Sequence, residues 1–127
     1  MDLDDLLNDL QESIKYIEQE TPKLRKDLGQ IAVKNIKRLT PTKTGKLVNS
    51  IQANIQGETV VIDSDCDYAD DVEFGHMQEA RYVPEIDRML EPKFIKGSHM
   101  FENGMLRAEK ELDKRVEKFV DNIPIFK

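Results

Sequence analysis

The sequence predicts an α+β fold in a single domain, 1–127, with two N-terminal helices, a small antiparallel β-sheet built on a hairpin, a long partly irregular loop and a C-terminal helix. Apolar residues recur at steps of three and four near both ends of the chain, which is the spacing of amphipathic helices. Between the ends, two short apolar runs flank a glycine, which is typical of a β-hairpin. A chain of 127 residues is long enough for one modest core and short for two.

The first helix is predicted from about Asp2 to Glu20, with acidic residues in its opening turn that suit the positive end of the helix dipole. Thr21 is expected to cap a second helix that begins at Pro22, where the missing N–H of proline costs nothing. This helix is predicted to end at Leu39, because the residue before a proline is disfavoured in helical conformation. The apolar residues that define the two helices are Leu3, Leu6, Leu7, Leu10, Ile14, Ile17, Leu24, Leu28, Ile31, Ala32, Ile36 and Leu39.

A β-hairpin is predicted after the helix stop at Thr40-Pro41. The run SIQANIQ alternates apolar with polar residues, and the run ETVVIDS carries three β-branched apolar residues in succession. A turn at Gly57-Glu58 separates the two runs, so they are expected to pair as antiparallel strands.

The segment from Asp63 to Gly97 has no sustained period, and a stretch of this length is usually functional or partly disordered. We predict that residues 78–98 become ordered only against neighbouring subunits. Helical spacing then returns and predicts a last helix over Gly104–Asn122, stopped by Pro124. The domain is thereby divided into a helical segment (residues 1–39), a β segment (residues 40–75), an extended loop (residues 76–100) and a C-terminal helix (residues 101–123).

Charge is strongly segregated along the chain. Residues 1–20 hold one Lys and seven acids, residues 22–47 hold eight basic residues and one acid, and residues 58–91 hold eleven acids and two Arg. Blocks of opposite sign suggest that one copy docks on another, although solvated helix faces and loops would produce the same pattern. The candidate docking residues are Lys34, Lys37, Arg38, Lys43, Asp63, Asp65, Asp70 and Asp71.

Several classes of site are disfavoured by simple counting. The single cysteine, Cys66, excludes an internal disulfide and a multi-thiolate metal site, and it fits folding in a reducing cytoplasm. No apolar run approaches the roughly 18 residues that span a membrane, and the N-terminus is acidic where an export signal would be basic. We therefore expect no membrane partner.

A phosphate-binding loop is suggested by Gly45-Lys46, but the motif needs a glycine where the chain has Thr40 and a hydroxyl where it has Leu47. The two histidines, His76 and His99, lack metal-ligand spacing. Acidic neighbours of Cys66 disfavour a reactive thiolate. No catalytic constellation remains.

A calcium loop is suggested by Asp63, Asp65 and Asp67 at alternate positions. The EF-hand pattern then requires glycine and glutamate where this chain has Tyr68 and Phe74, so a solvated turn is the default interpretation.

The basic second helix offers an alternative function, that of a small cytoplasmic regulatory module binding nucleic acid or an acidic partner. It lacks the stacking aromatics and the helix pair of specific nucleic-acid modules. An enzyme in which the 63–99 loop forms a lid is a further alternative.

Two motifs carry a family resemblance. Residues 40–51, TPTKTGKLVNSI, are close to the pattern TPVDTGxLRxSI, and residues 68–75, YADDVEFG, are close to YAxYVEFG. In this order, between amphipathic helices, they resemble the minor head-tail joining proteins of tailed bacteriophages, a gene-product-ten-like family of neck or tail-completion proteins. The chain departs from the pattern at Asp71, at His76 and at His99-Met100-Phe101.

The resemblance implies a structural virion protein that forms a sixfold or twelvefold ring at the head-tail junction, beside neck, portal-adaptor or tail proteins. It implies no enzyme activity, no cofactor and no specific nucleic acid, although DNA would pass through the ring. Such a protein would be made in the bacterial cytoplasm and located in the virion. The family-motif and subunit-interface candidates are Thr40, Pro41, Thr44, Gly45, Lys46, Leu47, Ser50, Tyr68, Val72, Glu73, Phe74, Gly75 and Phe101.

Overall fold

A computed structural model of the chain describes residues 2–42, 45–78, 81–84, 87–90 and 93–127. Its helices and strands give the α+β class that the sequence predicts. The elements are α1 (Leu3–Leu39), α2 (Lys46–Ser50), β1 (Ile51–Gln56), β2 (Thr59–Ser64), α3 (Ala69–Phe74), β3 (Gly75–Gln78), β4 (Arg81–Val83), β5 (Arg88–Leu90), β6 (Lys93–Lys96), α4 (Met100–Asp121) and a C-terminal 3₁₀ helix (Pro124–Phe126).

The predicted break between two N-terminal helices is wrong, because α1 is one helix of 37 residues with Pro22 inside it. A proline within a helix removes a hydrogen bond and costs about 3 kcal/mol. Contacts with α4 lie on both sides of Pro22, since the Tyr16 hydroxyl donates to the Phe119 carbonyl and Asp27 pairs with Arg115. The Thr21 hydroxyl also donates to the carbonyl of Ile17, which provides a local bond beside the proline.

Helices α1 and α4 pack antiparallel along most of their length. Ile36 meets the start of α4 at Gly104, and the pairing runs through to Tyr16, whose hydroxyl donates to the Phe119 carbonyl at 3.3 Å. At the far end the Ile125 N–H donates to the Ser13 hydroxyl at 3.0 Å. Strands β1 and β2 pack against this helix pair.

The predicted hairpin is confirmed. Strands β1 and β2 pair antiparallel from Ile51 opposite Ser64 to Gln56 opposite Thr59. Ile36, which is fully buried, and Val33 of α1 form a core cluster with Ile51 of β1. Apolar side chains of the helix pair and of the hairpin therefore pack in one core cluster.

Residues 76–100, expected as an extended loop, contain short strands instead. In the described residues, β3 pairs with β6 and β4 pairs with β5, both antiparallel. We call the described residues of Gly75–Lys96 the β arm. Strands of three or four residues are too short to produce a recognisable alternation in the sequence. The dependence of residues 78–98 on a neighbouring subunit stays a prediction.

Helix α4 begins at Met100, earlier than the predicted Gly104, and its last residue is Asp121. Phe101, the first residue of the predicted C-terminal segment (residues 101–123), is the second residue of α4. Lys43 and Thr44, both candidate residues, lie outside the described residues.

An ion pair between the two long helices gives a testable pH dependence. Lys34 Nζ lies 2.6 Å from Glu111 Oε1, and this hydrogen bond lowers the pKa of Glu111 below its ordinary value of 4.5. Because the folded pKa is the lower one, the pair stabilises the fold above pH 4.5 and the contribution is lost as the pH falls through the folded pKa. Lys34→Met is expected to raise the Glu111 pKa, as followed by NMR of its carboxyl carbon. Asp27→Asn, which breaks the neighbouring pair with Arg115, should leave that pKa unchanged.

Candidate functional site

The two sequence motifs lie against each other. Leu47 of the first motif and Ala69 of the second are buried in one cluster with Cys66 and Met100. Partly buried apolar residues from the end of α1, the second motif and α4 complete the cluster: Leu39, Tyr68, Val72 and Phe101. The chain thus brings together four of the candidates that the resemblance singled out, at the junction of α1, the hairpin and the start of α4.

The first motif makes the connection from α1 to β1. The buried Thr40 hydroxyl donates to the Ile36 carbonyl at 2.7 Å, which closes the end of α1. Gly45 adopts a φ of 75°, a left-handed conformation that glycine takes without steric cost, and precedes the single turn of α2. The Ser50 hydroxyl then donates to the Leu47 carbonyl at 2.6 Å and fixes the entry into β1. Pro41 is exposed.

Glu73 of the second motif is a helix cap. Its side chain is 6% exposed, and its two carboxylate oxygens accept from the backbone N–H groups of Phe101 at 2.8 Å and Glu102 at 3.2 Å. A negative charge at this position also suits the positive end of the α4 dipole. The sequence interpretation missed this role, because the carboxylate and the helix it caps are far apart in the chain.

The start of the β arm crosses closely over the segment before α4. Gly75 has a φ of 92°, and a Cβ there would lie 2.6 Å from the Ile95 carbonyl oxygen and 2.9 Å from the Gly97 nitrogen. The Ser98 N–H donates to the Val72 carbonyl at 2.7 Å, and the His99 N–H donates to the Glu73 carbonyl at 3.1 Å. The second motif therefore sets where the β arm leaves the body of the protein.

The charged candidates differ in how far they are engaged within the chain. Lys34 is engaged with Glu111, and Lys46 lies 3.6 Å from Asp67 in the same chain and 5.6 Å from the Tyr68 ring centroid. The Asn54 amide donates to Asp63 at 3.3 Å. The remaining described candidates are the half-buried Lys37 and the exposed Arg38, Asp65, Asp70 and Asp71.

The described residues contain no group of three or more His, Cys, Asp or Glu side chains placed to hold a metal ion. Cys66 is buried, His76 is exposed, and His99 Nδ1 lies 3.4 Å from a Glu102 oxygen. Within the same stretch of described chain, no helix combines the length and apolar character needed to cross a bilayer.

Exposed apolar side chains are the prominent surface feature. One set follows steps of four and three along α1, and we call it the α1 stripe: Leu3, Leu7, Leu10, Ile14 and Ile17. A second set lies at the base and along the β arm: Phe74, Met77, Tyr82, Met89 and Phe94. The spacing of the α1 stripe was visible in the sequence, but spacing alone does not say whether the rest of the chain covers an apolar face.

A groove between α1, β2 and α4 is the third apolar feature. Its volume is about 210 Å³ and its lining includes Leu28, Val60, Ile62, Met105, Leu112 and Val116. A shallower depression of about 420 Å³ adjoins it on α4 and shares Met105 and Leu112 with it. We call the two together the α4 groove.

Comparison with known families identifies a match over the N-terminal part of the chain. A family model described as "Bacteriophage HK97-gp10, putative tail-component" matches residues 4–75, which is more than half of the chain and includes both motifs. The match ends where the β arm begins. No curated protein and no solved structure matched the chain. On the strength of the family match, the chain belongs to the HK97-gp10-like family of bacteriophage tail components.

Proposed function

We propose that this protein is a ring-forming subunit at the head-tail junction of a tailed phage or prophage, where it joins the capsid portal to the tail. Family membership supports a structural phage protein associated with the virion. The finer assignment rests on one observation, the exposure of apolar side chains on the α1 stripe and on the β arm. Contiguous apolar surface of this kind marks protein interfaces.

A ring is the assembly that these surfaces favour. The α1 stripe, the β arm and the α4 groove differ in shape and sequence, so contacts between them join unlike surfaces of successive copies. Such head-to-tail contacts generate closed rings when the rotation between copies closes. A sixfold or twelvefold ring would leave a central passage for DNA. The neighbours would be portal-adaptor, neck and tail proteins, and the protein would act without catalysis or a cofactor.

The regulatory alternative receives less support from the structure. The basic half of α1 uses Lys34 to hold Glu111, and Lys37 is half-buried against the body of the protein. What is left for nucleic acid on this helix is the exposed Lys23, Lys26 and Arg38, in a segment (residues 23–38) whose sequence holds no aromatic residue on which a base could stack.

The proposal is tested by removing the gene from a phage genome that carries it and examining the particles by electron microscopy. Loss of joining is expected, with filled heads and free tails accumulating separately, and the gene supplied from a plasmid should restore infectious particles. Mass spectrometry of purified virions should find the protein in a fixed copy number relative to the portal. Normal joining without the gene, or absence of the protein from virions, would contradict the proposal.

A further inference from the structure

We propose that the β arm of one copy docks in the α4 groove of the next, with Phe94 and Met77 as its apolar anchors and the basic side chains of β6, Lys96 and at the strand start Lys93, meeting the acidic rim of the groove. This contact rests on the proposed ring and names the surfaces that build it.

The β arm has the properties of a segment that needs a partner. Met77 lies opposite Phe94 in the β3–β6 ladder, so their side chains share one face. These side chains are 64% and 60% exposed. Tyr82 and Met89, the next apolar pair along the arm, are also opposite each other and exposed. Since a two-stranded hairpin is only marginally stable in water, an apolar face on such a hairpin is expected to be covered in the assembled state.

The α4 groove offers a matching apolar surface. Its deeper part is lined by side chains of α1, β2 and α4 and has a volume of about 210 Å³. In the adjoining part, Leu106 is 62% exposed. Concave apolar surface between packed elements is where an aromatic anchor gains most from desolvation.

The charges of the two surfaces are complementary. On β6, Lys96 lies on the same face as Phe94 and Lys93 is the residue before Phe94 at the start of the strand, whereas the charged residues lining the α4 groove are Glu102, Glu109 and Asp113. Within the described residues, Lys93, Lys96, Glu109 and Asp113 form no ion pair. Complementary charge of this kind fixes orientation and disfavours wrong partners.

The occupant is a second copy of this chain, because one molecule carries both matching surfaces at different places. The β arm is apolar and basic, and the α4 groove is apolar with an acidic rim. The contact joins unlike surfaces, which is the heterologous geometry of a closing ring. Residues that the family model matches end at Gly75, so both the β arm and the α4 groove rim lie largely in the region of the chain outside that match.

Charge exchange tests the contact in the purified full-length protein, with oligomeric mass followed by sedimentation over a range of concentrations. The arm variant Lys93→Glu/Lys96→Glu and the groove variant Glu109→Lys/Asp113→Lys should each raise the half-dissociation concentration about tenfold or more. The variant that combines all four changes should recover assembly, because the pairing is restored with its sign reversed. Lys26→Glu, an exposed change on α1, serves as the matched control and should have little effect.

Disulfide trapping tests the position of the anchor. One preparation carries Phe94→Cys and the other Leu106→Cys, and mixing under oxidising conditions should link the two chains through these positions. Phe94→Cys mixed with Glu58→Cys, which lies at the β1–β2 turn, should not link.

Each outcome decides the inference. Assembly that the arm and groove variants leave unchanged would overturn the contact while leaving the proposed ring standing. Failure of the combined variant to recover, equal linking of both cysteine pairs, or a wild-type protein that stays monomeric would also overturn it. The presence of the protein in virions is a separate measurement, so the head-tail assignment is judged independently.

Discussion

Replacing Glu73 with alanine is expected to lower the free energy of unfolding by about 2–3 kcal/mol, because the change removes two charge-assisted hydrogen bonds from a buried helix start. The carboxylate accepts from the N–H groups of Phe101 and Glu102, and those two groups would be left without it. The α3–α4 junction also positions the β arm. We therefore expect Glu73→Ala to impair assembly as well as stability, as measured by thermal unfolding and by sedimentation.

Two controls separate the cap from the general effect of a substitution in α3. Glu73→Gln keeps the shape and one accepting oxygen, so its loss of stability should be smaller than that of alanine. Asp71→Ala removes an exposed carboxylate from the same helix and should change stability by no more than about 0.5 kcal/mol. Equal stability of the wild type and Glu73→Ala would show that the cap contributes nothing.

The Glu73 cap illustrates what the sequence could and could not predict. The two motifs were recognisable because their turn residues, such as Gly45, are required by local backbone conformation. The α1–β-hairpin–α4 order was predictable from periodicity. The contact between Glu73 and the start of α4 depends on tertiary packing, so no local sequence pattern predicts it. The same holds for the start of α4 at Met100, which was predicted too late.

Local sequence rules also could not predict that α1 continues through Pro22 or that the α1 stripe is exposed. Pro22 suggested a helix start, but packing of α1 on α4 along both of its halves overrides that signal. The α1 stripe has the spacing of a core-facing surface, yet in the isolated chain those side chains meet solvent. Apolar residues at helical spacing predict that a helix face is covered, but the spacing does not show whether the covering surface belongs to the same chain or to a neighbour. In the proposed ring, the surface that covers the α1 stripe would belong to a neighbouring copy.

Replacing Gly104 with alanine is expected to destabilise the protein by about 1–3 kcal/mol through overpacking where α4 crosses α1. A Cβ at Gly104 would lie 2.6 Å from Cγ1 and 2.7 Å from the Cα of Ile36, a residue that is fully buried. The contact with Cα involves backbone, so rotation of the Ile36 side chain cannot relieve it. The two helices would have to separate, and the core cluster that contains Ile36 would open. Denaturant unfolding measures the change.

The sign of the Gly104 effect distinguishes packing from helix propensity. Alanine normally stabilises the interior of a helix by about 1 kcal/mol relative to glycine, so propensity alone predicts that Gly104→Ala is more stable than the wild type. The exposed position Lys114 supplies the matched comparison, since Lys114→Ala should be more stable than Lys114→Gly by about that amount. Gly29→Ala should be milder than Gly104→Ala, because its nearest contacts, with Ala53 Cβ at 2.9 Å and Val60 Cγ1 at 3.2 Å, are longer than those at Gly104. If Gly104→Ala followed the Lys114 comparison instead of reversing it, the close crossing of α1 and α4 would be contradicted. A reversed sign would establish that α4 is held against α1 at backbone distance.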